Sequence, residues 1–224
     1  MKNEEKFWHR WILSYSLGEL FGIGAAAIIA RFLYMGYSEL GHGRSPVLDI
    51  LVLIIAGTSE GLIIGYVQWK SLSRVIKSLK PAPWIMTTTL ASILGWFLIL
   101  PPAILIVFFF ARLSPGDQYT SMLSALLAGV AFGGLIGIAQ FFIIRKFVTN
   151  AIIWIFANSV SWALSFLILY FVLLSFSGSL ISTLLIVLAC LSSGLAQGMV
   201  TGTSLHFLMS IKNEARSSRS ANPV

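Results

Sequence analysis

Cysteine is nearly absent: Cys190 is the only one in 224 residues, so no internal disulfide can form. It lies inside an apolar run, where a thiol serves as a small apolar filler. There is no H-E-x-x-H, no Cys/His spacing suited to a metal and no Walker motif. No metal or other cofactor is therefore expected, and any use of ATP would fall to a partner. Charge is also scarce. Asp, Glu, Lys and Arg make up 10% of the chain, against about 25% in soluble domains. With 57% hydrophobic residues and a mean hydropathy of +0.89, a soluble fold would leave large apolar patches in water. The composition is that of a membrane protein.

Six apolar segments are long enough to span, since about 20 helical residues cross a bilayer core. They lie near residues 11–34, 47–69, 84–110, 122–144, 151–176 and 180–210. Ala25-Ala26-Ala27 resembles a cleavage site, but the first segment shares the internal repeat and reads as a retained helix. The Pro101-Pro102 pair should kink or break the third helix and free carbonyls inside the bundle.

The even segments repeat one pattern. Gly57, Gly61 and Gly65 lead to Gln68-Trp69; Gly129, Gly133 and Gly137 lead to Gln140-Phe141; Gly194, Gly198 and Gly202 lead to Leu205-His206. Residues four apart drift by only about 40° on a helix, so each ladder is a stripe without side chains, suited to close helix packing. The ladders could meet near a common axis or pack inside their own hairpins. The odd segments repeat too, with Trp11 matching Trp154, small residues at Ser14/Ala91/Ala157 and Gly18/Gly95/Ser161, and Tyr15 matching Asn158. The expected fold is all-α: a single transmembrane domain of six helices built as three parallel two-helix repeats about a pseudo-threefold axis.

The net charge of +7 raises nucleic acid as a partner, but the placement of the basic residues argues for a membrane. If both termini share one side, that side holds Lys2, Lys6, Arg10, Lys70, Arg74, Lys77, Lys80, Arg145, Lys146, Lys212, Arg216 and Arg219. The other side receives only Arg31, Arg44 and Arg112, so both termini should be cytoplasmic. No nucleic-acid motif accompanies them. The spacing of Lys70, Arg74 and Lys77 against Leu72, Val75, Ile76 and Leu79 predicts an amphipathic helix over 70–80 lying on anionic lipid headgroups.

Glu19 and Glu60 are the sharpest functional signals. Each lies eight residues in from the predicted cytoplasmic boundary, about 12 Å along a helix, and each flanks glycine. No Lys or Arg lies at their level, so these acids must share a proton, bind a cation or cationic group, or rest protonated against backbone and hydroxyl neighbours. Gln197 takes the Glu60 position in the third repeat and Phe132 in the second. Asn158 could supply hydrogen bonds nearby. Gln68 and Gln140 read as anchors at the interface, and His206 as a structural donor there. Gly57-Thr58-Ser59-Glu60-Gly61 superficially suggests a serine nucleophile, but no histidine base lies at that depth, so no enzyme is expected.

Gly18-Glu19-Leu20-Phe21-Gly22, Glu60-Gly61 through Gln68-Trp69, Gly137 through Gln140-Phe141 and Trp154 through Trp162 carry a resemblance. From Trp11 to Leu208 the chain resembles a family of six-helix bacterial inner-membrane proteins with glycine-spaced helices ending in Gln-Trp. It departs where Phe141 replaces the second Trp and where the basic step reads Ser71-Leu72-Ser73-Arg74. The resemblance implies a six-helix fold in a bacterial cytoplasmic membrane and assigns no activity. The Pro-x-Asp/Glu-x-x-Lys/Arg signature of mitochondrial carriers is absent, and likeness to substrate-binding subunits of energy-coupling-factor transporters rests on size and topology alone.

The leading expectation is a transporter-like or ligand-binding membrane protein with a polar site formed by Glu19, Glu60, Gln197 and Asn158. The rival is a non-catalytic scaffold or assembly subunit, whose glycine stripes and surface helix would meet another membrane protein.

Overall fold

The computed structural model describes residues 2–39, 45–113, 118–175 and 180–221; Arg44, counted above, lies outside them. The described residues form the helices α1 (Lys2–Glu39), α2 (Pro46–Leu72), α3 (Pro81–Leu98), α4 (Leu100–Leu113), α5 (Gln118–Ile144), α6 (Ile152–Ser175) and α7 (Leu180–Ala221). Five stretches are long and apolar enough to cross a membrane: Pro46–Leu72, Pro81–Ala103, Tyr119–Ile144, Ile152–Val172 and Leu184–Met209. Large apolar side chains such as Phe21, Phe32, Met86, Leu90 and Phe156 face outward, as lipid contact requires.

Local chemistry sets several of the helix ends. Pro46 and Pro81 open α2 and α3, where a missing N–H costs nothing. Asp49 places a negative charge at the positive end of α2. Pro101 and Pro102 cannot donate to the carbonyls of Phe97 and Leu98, and the third apolar segment breaks between α3 and α4 as expected. The amide of Ile99 still donates to Gly95 at 3.0 Å, and that of Ala103 to Ile99 at 3.2 Å. Phe97 and Leu98 themselves are exposed, so the residues that lose their partners face outward rather than into the bundle.

The helices close a ring. Each packs on its chain neighbours, with α3 and α4 together meeting α5, and α7 returns to α1. Among the described residues the backbones of α2, α5 and α7 do not pack against one another. Neither expected arrangement of the glycine ladders therefore holds, because each ladder seats on the helix that follows it around the ring. A Cβ on Gly61 of α2 would lie 2.5 Å from Thr89 Cα of α3, and one on Gly133 of α5 would lie 2.2 Å from the Asn158 carbonyl oxygen of α6. One on Gly194 of α7 would lie 2.5 Å from Ser16 Cα of α1. The remaining ladder positions, Gly57, Gly65, Gly129, Gly137, Gly198 and Gly202, meet the same three helices. These backbones approach to distances that any side chain would prevent.

The ladder contacts also correct a register. Gly65, Gly137 and Gly198 oppose Ile85, Ile155 and Ile12 in the same way, so Trp84 takes the place of Trp11 and Trp154, and α3 sits four residues, about one turn, from the register in which Ala91 matches Ser14. Asn158 answers to Tyr15 and to Thr88: their Cβ atoms each lie 3.2 Å from the positions a Cβ would take on Gly137, Gly198 and Gly65 respectively.

The main apolar core fills the end of the ring that carries the 73–80 loop. Trp11, Trp84 and Trp154 meet there, each 0% exposed, packed with Ile64, Leu72, Ile144, Leu205 and Leu208. Residues 73–80 are turns rather than the expected amphipathic helix. Leu72 and Leu79 are both buried, and Trp69 Nε1 donates to the Leu79 carbonyl at 3.1 Å. Folding the segment inward plugs the core, whereas a straight helix would leave Leu79 outside it.

Candidate functional site

Gly22 lets α1 approach the backbone of Glu60, whose Cα would lie 3.1 Å from a Cβ there. This crossing sets the carboxylates of α1 and α2 in one layer, and both side chains are buried. Glu60 Oε2 accepts from Ser92 Oγ at 2.8 Å and from Trp96 Nε1 at 2.6 Å, both on α3. Glu19 Oε1 accepts from Gln197 Nε2 of α7 at 2.6 Å. The same amide nitrogen lies 3.1 Å from Ser165 Oγ and 3.5 Å from Ser193 Oγ, and those two hydroxyls bond each other.

Other polar atoms of this region have no partner. Glu19 Oε2, Gln197 Oε1, Asn158 Oδ1, Ser16 Oγ and Trp162 Nε1 are buried without a hydrogen bond. Such groups are rare in a packed interior because each loses its hydration without replacement. Three of the four residues expected to bind a ligand (Glu19, Gln197 and Asn158) thus present an open oxygen, while Glu60 Oε2 is engaged twice.

Across the ring the layer turns aromatic. Phe132 of α5 fills the space over Gly95 of α3, where a Cβ would lie 2.5 Å from its ring. Its centroid stands 4.4 Å from that of Trp162 and 5.6 Å from that of Phe166, both on α6. Trp96 packs against this cluster while donating to Glu60. Acid, amide and hydroxyl groups line one half of the layer, and rings line the other. Asn158 stands slightly apart: its Nδ2 donates to the Trp154 carbonyl at 2.8 Å, and it sits one turn from Trp162 on the same helix face.

Gln68 and Gln140 are not interfacial anchors; they are 1% and 0% exposed. Gln68 Oε1 accepts from Trp84 Nε1 at 3.2 Å and from Gln140 Nε2 at 2.7 Å, while Gln68 Nε2 donates to Tyr15 Oη. Gln140 Nε2 also reaches Thr88 Oγ1 at 2.8 Å, and its Oε1 accepts from Trp154 Nε1 at 2.9 Å. Trp11 Nε1 donates to Thr201 Oγ1 at 3.0 Å. A polar belt thus crosses the core below the carboxylate layer. The usable signal was a glutamine ending one helix and a tryptophan opening the next, Gln68 with Trp84 and Gln140 with Trp154. His206, by contrast, is exposed.

Among the described residues no three His, Cys, Asp or Glu side chains gather as a metal site would need. Thr58 and Ser59 hydroxyls donate to their own helix, to the carbonyls of Ile54 at 2.7 Å and Ala56 at 3.0 Å. No protein-family model, curated protein or solved structure matches the chain.

Proposed function

We propose that the chain is a transporter-like or ligand-binding protein of the bacterial cytoplasmic membrane, which binds a proton, cation or cationic solute in the carboxylate layer. The observation that carries this reading is Glu19: one oxygen is held by Gln197, and the other is buried with no partner. A buried carboxylate with open lone pairs attracts positive charge strongly, because little solvent screens it. Glu60 adds charge to the same layer, with Gln197 and Asn158 supplying further oxygens.

In this reading α1 joins the five apolar stretches as a sixth span, and three two-helix units pack head to tail about a central axis. The cyclic ladder contacts support that arrangement. Both termini lie in the cytoplasm. Exposed Lys70, Arg74, Lys77, Lys80, Arg145 and Lys146 then face anionic lipid headgroups from the 73–80 end. The scaffold reading loses its main support, because the glycine stripes meant for a partner are occupied by the chain's own helices.

The test is thermal unfolding in detergent under varied pH, sodium, potassium and small cationic solutes. A ligand of the folded state raises the midpoint with concentration. A shift present in the parent and lost in both Glu19→Gln and Glu60→Gln is expected. Absence of any shift, with Glu19→Gln at least as stable as the parent, would return the lead to the scaffold.

A further inference from the structure

Resting on that reading, we infer that the ion bound in the carboxylate layer is a proton, taken up by Glu19 and accommodated by a half-turn of the Gln197 amide. The polar groups here touch one another rather than surround a guest. Gln197 Nε2 donates to Glu19 Oε1 at 2.6 Å and to Ser165 Oγ at 3.1 Å, and Ser165 bonds Ser193 in turn. All four side chains are buried. The amide thus turns its donor end, not its oxygen, toward the acid. Hard metal ions are held by several oxygen lone pairs, and one against Glu19 Oε1 would meet the hydrogens of that nitrogen. A proton needs no coordination shell.

Both groups next in line from Glu19 can reverse their roles. A half-turn of the carboxamide puts Gln197 Oε1 where Nε2 stood, ready to accept from a protonated Glu19. The Ser165 hydroxyl accepts from the amide in one state and donates to it in the other. Protonation also removes charge from Glu19 Oε2, which is buried with no partner. Glu60 has no such freedom: Trp96 Nε1, which can only donate, holds its Oε2 at 2.6 Å. Two carboxylates in one buried layer, with no Lys or Arg at their level, share a proton. The geometry puts it on Glu19. The other titratable groups that face Glu19 are Cys190 of α7 and Tyr15, one turn away on α1. Both side-chain types ionise only above about pH 8 in water, and α6 presents the Ser165 hydroxyl.

The experiment is pH-difference infrared spectroscopy on the full chain in detergent, titrated in potassium chloride and again in sodium chloride. A protonated-carboxyl band should appear on acidification, with the same midpoint in both salts. It should be lost in Glu19→Gln and kept in Glu60→Gln. A glutamine side-chain amide band should change with it, and that change should vanish in Gln197→Met while the carboxyl band persists.

If no such band appears while sodium, potassium or a small cationic solute raises the unfolding midpoint in a Glu19-dependent way, the site stands and the proton inference falls. A band midpoint that differs between the two salts has the same meaning, because a metal ion then competes for the acid. A band lost in Glu60→Gln alone, or an amide band that stays silent, also overturns the inference and leaves the site. A Glu19 band present at every pH at which the protein stays folded would mean that the acid never exchanges its proton. That result, or neither a band nor a ligand-induced shift, would overturn both readings.

Discussion

Gln140 shows what a single amide can hold together in an apolar bundle. Its two ends engage α2, α3 and α6 at once, through Gln68, Thr88 and Trp154. Replacing it by leucine keeps most of the volume but leaves Trp154 Nε1 without its acceptor, in a place water reaches poorly. A buried donor stranded this way costs about 1–3 kcal/mol. Gln140→Leu should therefore lower the unfolding midpoint in detergent clearly, and a midpoint equal to the parent's would show that the belt adds no stability. At this scale the sequence was only partly legible. The depth and isolation of Glu19 and Glu60 could be read from spacing alone, since both depend on position along a helix. The fate of Gln68 and Gln140 depended on which way their side chains turned, which their neighbour across the ring decides.

Helices were more legible than their partners. Length and hydropathy placed every apolar segment on a helix, although α1 starts nine residues before its segment and α7 runs eleven past its own, and the Pro101-Pro102 pair marked the break between α3 and α4. The stripes of glycine were visible as well, but the surfaces they meet lie on helices distant in the chain or across a loop, and α7 returns to α1. Nothing local specifies such a pairing. The cost of filling a stripe follows from the close approaches. Gly133→Ala would drive a methyl to 2.2 Å from a backbone oxygen of α6, where no side chain can yield. Overpacking of this kind costs about 1–3 kcal/mol. Gly24 lies on α1 with nothing within 4 Å of the added carbon, so Gly24→Ala should be neutral or gain up to about 1 kcal/mol from helix propensity. The two melting curves, measured side by side, should move in opposite directions or at least differ by that sum. Equal behaviour would mean that the α5–α6 seam relaxes freely.

For the whole molecule, composition pointed to a membrane protein and the length of its apolar runs to helices, while its orientation rests on the distribution of charge. The basic loops and the plugged apolar core lie at one end of the ring, the end that closes over Trp11, Trp84 and Trp154. If this end faces the cytoplasm, the carboxylate layer lies about 12 Å above the Gln68–Gln140 belt, eight residues along a helix. The polar belt and the three tryptophans then separate it from the inner solution. Two reporter cysteines decide the orientation, placed in a Cys190→Ser background so that the buried native thiol plays no part. Ser78→Cys sits on the exposed 73–80 loop, and Tyr119→Cys at the opposite end, on a residue 82% exposed. In intact cells a membrane-impermeant maleimide should label Tyr119→Cys and spare Ser78→Cys, with the latter labelled only after permeabilisation. The reverse pattern would turn the molecule over and put the tryptophan-closed end outside, so that a ligand would reach Glu19 from the cytoplasm.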